Sequence, residues 1–161
     1  MAAAVGPVIR RGLLIAMTAF VPCGTAVVLT NVVFPTREDH DGLWMPLGYL
    51  FIGVVFFVAG LTRTSGGSRA AVGAVAGSVF GVLFSATLVV VNNVFLQAVS
   101  QQQAKIDGFR ESGMASMRAY VNSNILPSTL FFLVEFALLG AALVAWGGAV
   151  HDGRRYRDLG P

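Results

Sequence analysis

The chain has 161 residues, the size of one domain. Hydrophobic residues make up 55% of it and charged residues 12%, whereas about a quarter of the residues in a soluble domain are charged. This composition is typical of an integral membrane protein. The net charge is +3, but no basic cluster with interleaved aromatic residues occurs, so we expect no nucleic-acid partner. The single cysteine, Cys23, excludes an internal disulfide, a CxxC redox pair and a cysteine-based zinc site.

Four apolar runs divide the chain, each of about 19 to 27 residues, and each can cross the ~30 Å hydrocarbon core of a bilayer as a helix. The runs cover residues 13–34, 43–61, 70–96 and 126–150. The first follows two arginines and has the outline of a signal peptide, but it is longer than a signal core and lacks a small-residue cleavage site. We therefore interpret it as a retained helix. The sequence predicts an all-α fold, a four-helix transmembrane bundle forming one domain over residues 1–161.

Residues 100–123, between the third and fourth runs, form the longest polar segment. Ile106, Phe109 and Tyr120 recur there at roughly helical spacing, with charged residues between them. Gly113 interrupts the pattern. The segment is predicted to form two short amphipathic helices, or one broken helix, along the outer membrane surface.

The charges that flank the apolar runs predict the orientation. Basic residues dominate on one side: Arg10, Arg11, Arg63, Arg69, Arg154, Arg155 and Arg157, against the acids Asp152 and Asp158. The other side carries Arg37, Lys105, Arg110 and Arg118 with Glu38, Asp39, Asp41, Asp107 and Glu111. The positive-inside rule then places both termini in the cytoplasm and residues 35–42 and 100–123 outside. We expect the protein in the plasma (inner) membrane of a bacterium.

Small residues repeat every four positions in the third run, at Gly73, Gly77 and Gly81. Such a ridge lets two helix backbones approach closely, which stabilises helix pairs within lipid. A similar ridge in the fourth run comprises Ala137, Ala141, Ala145 and Ala149. We predict that the third helix packs closely on one partner helix. A partner in the same chain is favoured over one in a second copy.

Residues 129–150 contain one charged residue, Glu135, and no Lys, Arg or His. A carboxylate inside a membrane costs roughly 2.5–3.5 kcal/mol on insertion scales, so it normally faces protein or water. One interpretation is a hydrogen bond that ties the fourth helix to Asn92, Asn93 or a threonine hydroxyl. The other is a site that binds a proton or a cation. Asn92, Asn93 and Gln97 could line a small polar cavity with Glu135, or could only bond to one another.

Metal sites and catalytic motifs have little support in the sequence. His40 and His151 both lie outside the apolar runs, so no histidine could ligate a haem within the membrane. His40 with its acidic neighbours could bind a divalent cation loosely, although a solvated turn is the preferred interpretation. No nucleophile elbow, HExxH, P-loop or dinucleotide fingerprint occurs. We expect no metal, no cofactor and no enzymatic activity.

The order of these parts resembles a family of bacterial four-helix membrane proteins of unknown function. The similar parts are FIGVVFFVAGLTRTSGGSRAAVGAVAG, the polar segment with Ser112-Gly-Met114, and FLVEFALLGAALV. This resemblance implies a four-helix fold and a membrane location, but it implies no activity.

FLVEFALLGAALVA is also similar to the fourth helix of the rotor proteolipid of vacuolar-type ATPases. That resemblance implies that Glu135 carries a proton. The chain departs from this family because its third and fourth helices are joined by residues 100–123 rather than by a short turn.

Two functions follow from these patterns. The first is a non-enzymatic accessory or scaffold protein that acts through helix packing and its outer segment. Its partners would be the lipid bilayer and other membrane subunits or a second copy of itself. The second is a small proton- or cation-coupled transporter or channel that uses Glu135, with Asn92, Asn93 and Gln97 nearby.

Overall fold

A computed structural model of the chain describes residues 5–35, 41–62 and 68–158, with side chains at 5–35, 45–62 and 68–153. This described part is all-helical and contains no strand, as the sequence predicts. The helices are α1 (Val5–Val28), α2 (Asp41–Leu61), α3 (Arg69–Val94), α4 (Leu96–Val99), α5 (Gln103–Ser112) and α6 (Met117–Asp158). A π-helical turn, Leu29–Val33, extends α1.

Three helices in the described residues are long and apolar enough to cross a membrane. They are Val5–Val33, Arg69–Val94 and Met117–Gly153. They agree with the prediction of a multi-pass membrane protein. The apolar part of α2, Met45–Leu61, is shorter, and the fourth crossing stays a prediction.

The four long helices form a ring. Helices α3 and α6 are the central pair, α1 packs on α3, α2 packs on α6, and α1 also touches α2. Near the start of α1, Arg11 donates hydrogen bonds to the carbonyl oxygens of Ala59 (3.4 Å) and Thr62 (3.3 Å) at the end of α2. Near the start of α3, Arg69 forms an ion pair with Asp152 of α6. The starts of α1 and α3 and the ends of α2 and α6 therefore share one end of the bundle, called here the arginine end.

Aromatic side chains fill the middle of the ring. Phe56, Phe80 and Phe136 are 0%, 0% and 1% exposed, and they join α2, α3 and α6. The rings of Phe80 and Phe136 lie 4.7 Å apart and meet edge to face, a favourable arrangement of the two ring quadrupoles. Phe84 and Phe132 extend this aromatic cluster. Since apolar side chains occupy the centre, the cluster holds the three helices together by close packing.

The last helix begins earlier than the sequence predicts. Helix α5 ends at Ser112, beside the left-handed Gly113 (φ 64°), but α6 begins at Met117 instead of residue 126. The second half of the predicted amphipathic segment is thus continuous with the last helix. Pro127, expected in a first turn, lies inside α6. Polar side chains on either side of it donate to carbonyl oxygens of the same helix, as Ser128 does to Asn124 at 2.7 Å.

The third helix ends sooner than expected, at Val94 instead of residue 96. Phe95 leaves the helical conformation (φ −102°, ψ 31°), and α4 is a separate short turn. The four-residue spacing between Asn93 and Gln97 therefore does not place these two side chains on one helical face.

Candidate functional site

The glycine ridge of α3 lies against α6 of the same chain. A Cβ added at Gly77 would overlap the carbonyl oxygen of Phe136, and one added at Gly73 would overlap that of Gly140. A Cβ at Gly81 would lie 3.1 Å from the Cα of Leu133. The absence of side chains at these glycines lets the backbones of α3 and α6 touch. A second close approach joins α2 to α6, where a Cβ added at Gly60 or Gly147 would overlap the carbonyl oxygen of Val144 or Phe57.

The surface of α6 that meets this ridge differs from the predicted alanine ridge. Ala137 lies beside Gly77, where an added Cβ would be 3.0 Å from the Ala137 Cα. Gly140, rather than Ala141, faces Gly73. Ala141 and Ala145 are half-buried beside this line. The α6 residues that contact the glycines are separated by three or four positions, as on one face of a straight helix. The predicted ridge used a spacing of four throughout.

Glu135 accepts a hydrogen bond from Tyr49. The distance from Tyr49 Oη to Glu135 Oε2 is 2.9 Å, and both side chains are half-buried between α2 and α6. The Tyr49 ring also stacks on Phe136, with ring centroids 5.7 Å apart. The bond thus joins the two helices at the edge of the aromatic cluster.

Sequence reasoning did not identify Tyr49 as the partner of Glu135, although a signal existed. Tyr49 lies six residues past the start of run 43–61, and Glu135 lies nine residues past the start of run 126–150. Both helices run towards the arginine end. Two polar side chains at similar depth on parallel helices are candidates for a hydrogen bond across the helix pair.

The structure does not bring Glu135 to Asn92 or Asn93. Asn93 instead pairs with Asn122 of α6 through two amide hydrogen bonds of 2.9 and 3.1 Å. Asn122 precedes Glu135 by about 13 residues, which is about 20 Å along a helix. A polar cavity shared by Glu135 and these amides is therefore not formed. Helix α6 begins at Met117, before residue 126, and places its own Asn122 opposite Asn93.

Carboxamide side chains gather at the end of the bundle opposite the arginine end, called here the amide end. Gln102 donates to Asn31 Oδ1 at 3.0 Å, which ties the segment after α4 to the π-helical turn. Asn92 is 4% exposed and donates to the Leu88 carbonyl at 2.9 Å. Its Oδ1 has no partner among the described residues. These contacts fasten the polar end of the bundle.

The other predicted site residues lie apart from this group. Gln97, expected beside Asn93, is exposed on α4. His40, Glu38 and Asp39 lie outside the described residues. Within residues 5–35, 41–62 and 68–158, no three His, Cys, Asp or Glu side chains are placed to hold a metal ion. Asn31, Gln102 and Asn122 were not predicted, and only Asn31 stood out in the sequence, as an amide within an apolar run.

The fold and these contacts define the chain as an all-helical protein with helices suited to cross a membrane. Comparison with protein-family models, with curated proteins and with solved structures finds no match to this chain. Both resemblances stated from the sequence therefore stay predictions.

Proposed function

We propose that the chain is a four-pass plasma-membrane protein that serves as a non-enzymatic accessory or scaffold subunit. The outward faces of the long helices support the membrane location, since Leu130 and Leu138 of α6 are 73% and 66% exposed. Many other large apolar side chains are exposed with them. Such a surface suits lipid or a partner helix and is unfavourable in water.

We infer that α2 is the fourth crossing. Its helix has 21 residues, or about 31 Å at 1.5 Å per residue, close to the ~30 Å hydrocarbon core. Four crossings would put both chain termini on one side, which agrees with the shared arginine end. Because Arg10, Arg11 and Arg69 lie at this end, the positive-inside rule places it in the cytoplasm.

The packed centre of the bundle is the observation that favours a scaffold over a transporter. The side chains that join α2, α3 and α6 there are aromatic, and the α3 and α6 backbones touch at Gly73 and Gly77. Glu135 and Asn122 of the amide end are separated by about 20 Å along α6, so they do not form one polar site. A rigid, filled interior is suited to hold helices in place and to present their outer faces to other subunits.

The alternative function is a proton- or cation-coupled transporter, and the Glu135–Tyr49 hydrogen bond favours it. An ionisable residue at membrane depth is by default a candidate for a functional site. Glu135→Gln keeps the side-chain shape and an oxygen that can accept from Tyr49. If Glu135 carries protons, this variant abolishes flux into liposomes, whereas a packing role predicts no change.

Purification of the tagged protein from its own membrane in mild detergent tests the scaffold proposal. We expect a stoichiometric complex with at least one other membrane protein, and its identification by mass spectrometry after cross-linking in the intact membrane. A homogeneous complex that contains only copies of this chain would contradict the accessory role. The proton-flux assay with Glu135→Gln would then decide on the alternative.

A further inference from the structure

The contact between α2 and α6 contains a carboxylate, Glu135, that is only half-buried. We call this place the α2–α6 seam: Tyr49, Gly53 and Glu135, with Met45, Phe131 and Leu138 at its edges. Glu135 is half-buried, and Tyr49 occupies one of its two carboxylate oxygens. No other hydrogen bond or ion pair to Glu135 occurs in the described residues, so the second oxygen is free to accept.

This free oxygen lies within the hydrocarbon region of the proposed arrangement. Glu135 is nine residues past the start of run 126–150, or about 14 Å deep at 1.5 Å per residue. Lipid tails offer no hydrogen-bond donor there, and an unsatisfied polar group in lipid costs several kcal/mol. A donor from a neighbouring helix would remove this cost.

A second copy of this chain has no basic side chain in its membrane runs that could serve as the donor. Residues 13–34, 43–61, 70–96 and 126–150 contain no Lys, Arg or His. A homodimer through the seam would place two carboxylates near each other. The charge therefore favours a different protein as the occupant.

The shape of the seam also suits a helix. Met45 and Phe131, one turn outward of Tyr49 and Glu135, are each 63% exposed, and Leu138 is 66% exposed. Gly53 lies one turn inward of Tyr49, and a Cβ added there would meet only the Leu143 Cδ1 atom at 3.8 Å. A glycine with open space beside it lets the backbone of another helix approach closely.

We propose that the α2–α6 seam docks a transmembrane helix of another protein that carries a Lys or Arg side chain at the depth of Glu135. The inference rests on the proposed accessory function and names the chemistry of the partner. The ammonium or guanidinium group bonds to the free oxygen of Glu135, and the partner backbone approaches at Gly53. Tyr49 holds the carboxylate in position.

A synthetic peptide tests this docking without knowledge of the natural partner. The probe is a labelled Leu/Ala helix of about 23 residues, long enough to span the bilayer, with one Lys at the depth of Glu135. The control peptide has Leu in its place. Energy transfer to the labelled full chain is measured in liposomes. We expect the Lys peptide to associate about tenfold more tightly than the Leu peptide, the scale of a polar contact between membrane helices.

Two variants of the chain sharpen the experiment. Glu135→Gln removes the charge but keeps the shape, and it should abolish the difference between the two peptides. Gly53→Leu keeps the carboxylate but fills the open space beside this glycine, and it should weaken association of the Lys peptide. Equal association of both peptides with the wild-type chain, or a preference for Lys that persists in Glu135→Gln, would overturn the proposal.

The result is separate from that of the scaffold experiment. If a native complex is found and Glu135→Gln retains it fully, the accessory role stands and the seam is not its docking site. If the Lys peptide binds through Glu135 but the native chain purifies alone, the docking chemistry stands and the accessory role fails.

Discussion

The Tyr49–Glu135 hydrogen bond shows how a polar contact is placed at the edge of an apolar interior. Phe136, the residue after Glu135, points into the aromatic cluster, and its ring supports the Tyr49 ring. The tyrosine thus has one apolar face to pack and one hydroxyl to donate, which suits a position between core and lipid. The bond links α2 to α6, and its two side chains are the polar groups that the described residues place at this depth of the seam.

Replacing Tyr49 tests the energetic value of this bond. We expect Tyr49→Phe to lower the free energy of unfolding in detergent by about 0.5–1.5 kcal/mol, the range for hydrogen bonds between membrane helices. Glu135→Ala combined with Tyr49→Phe should cost less than the sum of the two single variants, because both remove the same contact. Additive costs in this double-mutant cycle would show that the bond contributes nothing.

Gly77 tests the close approach of α3 and α6. A leucine at this position would overlap the Phe136 carbonyl oxygen, and forcing atoms into a packed interface costs typically 1–3 kcal/mol or more. We expect Gly77→Leu to lower the thermal unfolding temperature strongly. Gly48→Leu is the matched control, since a Cβ there meets nothing within 4 Å. Similar losses in both variants would contradict the inferred backbone contact.

At the scale of the elements, hydrophobic run length predicted which long helices form but not where they begin and end. The apolar runs predict α1, α2 and α3 because a helix alone satisfies the backbone inside a bilayer. They do not predict that α6 begins at Met117, since a helix outside the membrane needs no apolar run. Likewise, the break at Phe95 has no local sequence signal such as glycine or proline.

The partners of the site residues were the least predictable feature. Spacing alone places small residues on a face of α3, but the register between α3 and α6 decides that Gly73 meets Gly140. The same register brings Asn122 opposite Asn93 and takes Glu135 away from it. One sequence carries no direct record of register, so it could not distinguish a cavity shared by Glu135 and the amides from the separate Tyr49–Glu135 and Asn93–Asn122 pairs that the structure shows.

The turn between α5 and α6 depends on one backbone conformation. Gly113 has φ 64°, which costs other residues roughly 1–2 kcal/mol. We expect Gly113→Ala to lower the free energy of unfolding by about 1 kcal/mol. Gly6→Ala, in α1 with nothing within 4 Å of the added Cβ, should be neutral or slightly stabilising. A destabilisation at Gly6 that equals that at Gly113 would argue against the left-handed turn.

The Asn93–Asn122 pair links α3 to α6 at the amide end. A single Asn93→Leu or Asn122→Leu substitution leaves one amide without its partner, which we expect to cost about 1–3 kcal/mol of stability. The double substitution removes both polar groups and should cost less than either single change. The unfolding of all three variants in detergent measures this. A double variant that is as unstable as the sum of the singles would contradict a mutual hydrogen bond.

At the scale of the whole molecule, the two ends of the bundle differ in chemistry. The arginine end joins α1 to α2 and α3 to α6 through Arg11 and Arg69, whereas uncharged carboxamides join the helices at the amide end. Between the two ends, the interior is aromatic and aliphatic. This division is the one expected if the proposed bundle spans a bilayer with its basic end in the cytoplasm.

Labelling of single cysteines on the two sides of α2 tests the proposed four-pass arrangement most directly. In a Cys23→Ser background, Pro35→Cys and Ser68→Cys each introduce one thiol, and an impermeant maleimide is added to intact cells and to permeabilised cells. We predict that Pro35→Cys reacts in intact cells and that Ser68→Cys reacts only after permeabilisation. If both positions react on the same side, α2 does not cross the membrane, and the proposed topology is wrong.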